Sequence, residues 1–93
     1  MTVSKENKEF LVDLIEYYVN EAQSYREMAQ EYSLKIDSVP DTAFGIIVGC
    51  IYSSFLQTYS NQKLTPTVQD VQEFTEIIMM KSNAIMDAIK KQK

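Results

Sequence analysis

The sequence predicts an all-α fold, a three-helix up-down-up bundle with a long first helix. Three observations predict it. The 93 residues include only two glycines and two prolines, so turns are few and the elements are long. Apolar residues in the N-terminal third recur at alternating steps of four and three. The stretch from Thr42 to Gln62 carries no charge and lies between two segments rich in Lys and Glu.

The first helix is predicted over about residues 4–36, which contain no Gly or Pro. Two interleaved rows run along it, with members seven residues apart: Leu11, Tyr18, Tyr25 and Tyr32, and Ile15, Ala22, Ala29 and Ile36. This spacing predicts a seam that packs against another helix, within the chain or in an intermolecular coiled coil. The small side chains of Ala22 and Ala29 would let that neighbour approach closely.

The second helix is predicted at about 39–62 and the third at about 66–91, so that residues 1–93 form one helical domain. Ser38 and Pro40 are typical of a helix start, Ser38 as the cap and Pro40 in the first turn. For the third helix, Thr65 and Thr67 are both suitable caps, and the sequence leaves the two open. The third helix has one apolar face, formed by Val71, Phe74, Ile78, Ile85 and Ile89.

The uncharged second helix is either a buried core helix or a membrane span. Its apolar part, Ala43–Leu56, is shorter than the roughly 20 residues that a span needs, and runs of about 10–14 are more often core helices. We therefore expect a core helix, covered on all sides because it is apolar on all sides. Gly45, Gly49 and Ser53 recur every four residues along it and predict close packing against a neighbouring helix.

A homodimer is predicted from helix lengths. A straight first helix of about 48 Å would extend past a second helix of about 33 Å, and its apolar N-terminal end would need cover from a second chain. A bend in the first helix, or a later start, would remove this argument. The expected interface combines the start of the first helix, an off-seam tyrosine and two methionines beside the apolar face of the third helix: Phe10, Leu11, Leu14, Tyr17, Met79 and Met86.

No catalytic, metal-binding or nucleotide-binding motif is apparent. The chain has no histidine, the commonest general base and zinc ligand. The single cysteine, Cys50, cannot form an internal disulfide and is expected to be a small buried apolar residue. Three carboxylate pairs have a spacing that could bind a hard cation, but their faces are polar and solvated: Glu6 with Glu9, Asp13 with Glu16, and Glu73 with Glu76. No metal site or cofactor is therefore expected.

The sequence favours a non-enzymatic protein–protein interaction module or accessory subunit, which binds itself and another protein through an apolar helical face. The N-terminus lacks an apolar signal segment, so the cytoplasm is expected. A net charge of −4 disfavours nucleic-acid binding. Three alternatives remain. They are a membrane-associated accessory subunit that uses residues 42–62 as a short span, a carboxylate-metal helical-bundle enzyme, and a DNA-binding regulator that uses its Lys-rich residues 90–93.

Overall fold

The structure, a computed structural model, describes residues 3–91, which form four α-helices and contain no β-strand. The helices are α1 (Lys5–Asn20), α2 (Ala22–Gln30), α3 (Val39–Asn61) and α4 (Val68–Lys90), and a 3₁₀ turn at Ser33–Lys35 lies between α2 and α3. Both α1 and α2 pack against α3 and α4, which also pack against each other. The all-α class predicted from the sequence is confirmed.

The predicted single helix over residues 4–36 is interrupted at Glu21. There the backbone leaves helical geometry (φ −101°, ψ 11°), and the Glu21 N–H is shared between the carbonyls of Tyr17 and Tyr18 at 3.1 and 3.2 Å. A seven-residue repeat drifts around a straight helix, so a seam of this length requires supercoiling or a break. The break allows α1 and α2 each to keep an apolar side against α3 and α4. It also removes the straight 48 Å helix on which the length argument for a dimer rested, since α1 has only 16 residues.

The predicted seam ends at Ala29, seven residues before Ile36. After Gln30 the chain enters the 3₁₀ turn, in which the Lys35 N–H donates to the Tyr32 carbonyl at 2.8 Å. Tyr32 is exposed and Ile36 only half-buried, so neither belongs to the core as the repeat predicted. The reason is that the chain must turn here toward the start of α3. This turn moves the two side chains away from the side that packs against α3 and α4.

The connections are capped by local hydrogen bonds. Ser38 Oγ accepts from the Asp41 N–H at 3.1 Å, with Pro40 in the first turn of α3. Between the two candidate caps of α4, the structure selects Thr67: its Oγ1 accepts from the Asp70 N–H at 3.1 Å, and Asp70 Oδ2 accepts from the Thr67 N–H at 2.8 Å. This reciprocal pair is a capping box, and it starts α4 at Val68 rather than at the predicted residue 66.

The core is built on one side of α3. Every fourth residue of this helix is buried: Ala43, Ile47, Ile51, Phe55 and Tyr59. Facing them are Leu11 and Ile15 of α1, Ala22 and Ala29 of α2, and the buried apolar residues of α4, namely Phe74, Ile78, Ile85 and Ile89. The Phe55 ring is central, with its centroid 5.0 Å from that of Tyr59 and 4.9 Å from that of Phe74. The expectation that α3 would be covered on all sides is wrong, because only three helices surround it and all lie on one side.

Candidate interaction surface

From Thr42 to Asn61, the side of α3 that faces away from the core is exposed and uncharged. We call it the outer face of α3 and define it by five exposed residues: Gly45, Gly49, Ser53, Gln57 and Ser60. A Cβ atom built on Gly45 or Gly49 would meet nothing within 4 Å. The close helix packing predicted for Gly45, Gly49 and Ser53 is therefore not made within the described part of the chain. These small residues face outward because the larger apolar residues of α3 occupy its inner side.

The two alanines of the first predicted helix lie inside the protein. Ala22 and Ala29 are both buried on α2, in the core that α2 forms with α3. Their side chains add little bulk between the two helices. Small residues thus lie on the inner side of α2 and the outer side of α3.

The interface residues predicted on α1 divide into two groups. Leu11 is 0 % exposed and belongs to the core, so in this structure it is not a residue that a partner can reach. Leu14 is half-buried and packs against the core. Phe10 and Tyr17 are exposed, with Tyr17 at 56 %, and they lie seven residues apart on the same side of α1. Leu11 lies about 100° further around the helix than Phe10, which is why it points inward instead.

The interface residues predicted on α4 also differ in exposure. Met79 is 66 % exposed, whereas Met86 is half-buried and packs against the core. Two further exposed apolar side chains on α4, Val68 and Met80, were not predicted as surface residues. The spacing could have indicated the exposure of Met80. This residue follows the buried Ile78 by two positions and so lies about 200° around the helix from it.

The exposed side chains of α1 lie beside α3. The side-chain amides of Asn7 and Gln62 pair in both directions, and further along α1 the Tyr18 side chain lies close to that of Cys50. These two contacts place residues 10–17 of α1 alongside the C-terminal half of α3. On the other flank, the Phe74 ring of α4 lies 5.1 Å from that of Tyr52. The outer face of α3 therefore has a packed helix on each side.

Acidic side chains dominate the exposed surface of α1, α2 and the residue between them. All six acidic residues of this region are exposed, as is Glu31 directly after α2; the six are Glu6, Glu9, Asp13, Glu16, Glu21 and Glu27. Two of its cations, Lys8 and Arg26, are half-buried, and Lys8 lies 3.5 Å from a Glu73 carboxylate oxygen. The outer face of α3 thus differs from this surface in carrying no charge at all.

Two clusters of polar side chains lie between the helices. In the first, the Tyr18 ring packs 5.4 Å from that of Tyr25 and 5.2 Å from that of Tyr17. Burial, with smaller contributions from Tyr25 and Cys50, raises the pKa of Tyr18 to about 12. Cys50 itself is a half-buried free thiol at the edge of this cluster. The tyrosine is therefore neutral at physiological pH and acts as a packing and hydrogen-bonding group.

The second cluster joins the ends of three helices. Tyr59 is buried beside Asn7 and Asp70, and its pKa is raised, first by burial and then by the negative charge of Asp70. Glu73 accepts a hydrogen bond from the backbone N–H of Val3 at 3.4 Å and pairs with Lys8. These contacts hold the start of α1 against α4 and the end of α3.

The carboxylate pairs considered as cation ligands lie on the surface or take part in this cluster. Glu6, Glu9, Asp13, Glu16 and Glu76 are exposed, and Glu73 is paired with Lys8. Among residues 3–91, no group of three or more His, Cys, Asp or Glu side chains is arranged so that it could hold a metal ion. Of the Lys-rich tip, Lys90 and Lys91 are exposed, and residues 92 and 93 lie outside the described residues.

Comparison with protein-family models, curated proteins and solved structures finds no match for this chain.

In length and composition, α3 is able to cross a membrane, and it is the one helix of the described chain with this property. Only 22 % of the residues in its most apolar stretch are buried within the protein. A core helix of a soluble bundle is ordinarily mostly buried, so α3 is unusually uncovered. Its exposure and its lack of charge between Thr42 and Asn61 mark the outer face of α3 as the main candidate surface for an interaction.

Proposed function

We propose that this protein is a small, non-enzymatic helical interaction module that forms a homodimer and presents an apolar helical surface to another protein. In this proposal α1 and α2 together take the place of the first helix in an up-down-up three-helix bundle. Its second and third helices are α3 and α4. The observation that carries it is the uncharged, exposed outer face of α3, flanked by helices that expose Phe10, Tyr17 and Met79.

The physical reason is the free energy of apolar surface in water. Covering a fully exposed large apolar side chain contributes roughly 1.5–3 kcal/mol. Phe10 and Met79 are 43 % and 66 % exposed, so a partner that covers them gains part of that amount at each. Single exposed apolar residues are common on soluble proteins and need no explanation. Here they flank a helix that has no exposed charge between Thr42 and Asn61, so a partner that covers them meets no charge on this helix.

The charges of the chain restrict the class of partner. Exposed carboxylates along α1 and α2 repel nucleic-acid phosphates, which favours a protein as partner over DNA or RNA. Exposed methionines such as Met79 and Met80 adapt to partner side chains of different shape, because the thioether chain is flexible and polarisable. We place the protein in the cytoplasm in this proposal.

Sedimentation velocity over a range of protein concentrations tests the proposal. We expect a dimer at low micromolar concentration, and a monomer throughout that range would contradict the homodimer. Two variants place a charge beside the outer face of α3, Phe10→Lys and Met79→Lys. We expect each to shift the equilibrium toward monomer.

The matched control is Leu34→Lys. It adds the same charge at a residue that is 96 % exposed, on the 3₁₀ turn and away from the outer face of α3. This control should dimerise like the wild type. Equal weakening by all three variants would indicate a general charge effect and not a local surface.

Membrane association is the second candidate, and the length and apolar composition of α3 support it. A full span would require Ala43, Ile47, Ile51, Phe55 and Tyr59 to leave the core, because all five are buried against the other helices. Association of the folded protein through the outer face of α3 alone would avoid this loss. Fractionation after expression separates the candidates, since recovery only in the presence of detergent would favour the membrane.

A further inference from the structure

We draw no further inference here: the strongest candidate, the surface patch where the chain leaves α2 and exposes the apolar side chains of Met28, Tyr32 and Leu34, carries none because nothing in the structure shows what covers it.

Discussion

The side-chain amides of Asn7 and Gln62 form a two-way hydrogen-bonded pair. Asn7 Nδ2 donates to Gln62 Oε1 at 3.1 Å, and Gln62 Nε2 donates to Asn7 Oδ1 at 2.9 Å. Asn7 is buried in α1, and Gln62 is the residue that ends α3. The pair joins two elements that lie 55 residues apart in the sequence, next to the buried Tyr59.

Replacement of Asn7 by leucine should destabilise the protein by about 1–3 kcal/mol, because it removes both hydrogen bonds to Gln62 beside the buried Tyr59 without supplying another partner. The free energy of unfolding from urea denaturation measures this loss. The control is Thr75→Val, which removes an exposed hydrogen bond from Thr75 Oγ1 to the Val71 carbonyl on α4. We expect the control to change stability by less than about 0.5 kcal/mol, and equal losses in both variants would contradict a special role for the pair of Asn7 and Gln62.

The start of α4 offers a comparison between two threonines two residues apart. Thr67→Ala removes the hydroxyl that accepts from the Asp70 N–H, and we expect a loss of about 0.5–2 kcal/mol in the free energy of unfolding. Thr65→Ala changes an exposed residue before the cap and should have little effect. If Thr65→Ala were the more damaging of the two, α4 would start earlier than the structure shows.

The elements that could be predicted from the sequence are those with local signals. Ser38 and Pro40 mark the start of α3 because a side-chain cap and a proline act within one turn. Thr67 was one of two candidates at α4, and hydrogen bonding to Asp70 distinguishes it in the structure. These interactions depend on residues three positions apart, so the sequence contains them.

The features that could not be predicted depend on tertiary packing. The break at Glu21 has no Gly or Pro beside it, and it follows from how α1 and α2 share the same two neighbours. The exposure of the outer face of α3 could not be predicted, because the sequence of an apolar helix does not show how many other helices pack against it. The row of Gly45, Gly49 and Ser53 was visible in the sequence, but the sequence does not show whether it faces the core or the outside.

The end of α3 contains one residue in a conformation that favours glycine. Lys63 has φ 60°, and the N–H groups of Lys63 and Leu64 donate back to the carbonyls of Ser60 and Tyr59 at 3.0 and 2.9 Å. This is the Schellman motif, in which the residue at the Lys63 position is usually glycine.

Lys63→Gly should therefore stabilise the protein by about 1 kcal/mol, because a left-handed backbone conformation costs a non-glycine residue about 1–2 kcal/mol. Thermal and urea unfolding measure the gain. Lys35→Gly serves as the control, since it removes the same charge at an exposed residue that has no positive φ. It should be neutral or destabilising, and a gain of equal size in both variants would show that loss of positive charge is the cause.

The raised pKa of Tyr18 predicts a loss of stability at alkaline pH. Burial, assisted by Tyr25 and Cys50, raises this pKa from 10.0 to about 12 in the folded protein. Below about pH 10 the hydroxyl is protonated in both the folded and unfolded chain, so the contribution of Tyr18 is fully present. Between about pH 10 and 12 the unfolded chain releases the proton while the folded chain retains it, so the free energy of unfolding falls as pH rises.

Urea denaturation at a series of pH values measures this fall, and Tyr18→Phe should reduce its slope because phenylalanine has no proton to release. Tyr59 also has a raised pKa, so part of the slope should remain in this variant. Tyr17→Phe is the matched control: its ring contacts that of Tyr18, but Tyr17 is exposed. We expect Tyr17→Phe to retain the wild-type slope. An unchanged slope in Tyr18→Phe would mean that Tyr18 ionises as readily in the folded protein as in the unfolded chain, and that the packing of Tyr18 against Tyr25 and Cys50 does not exclude water from its hydroxyl.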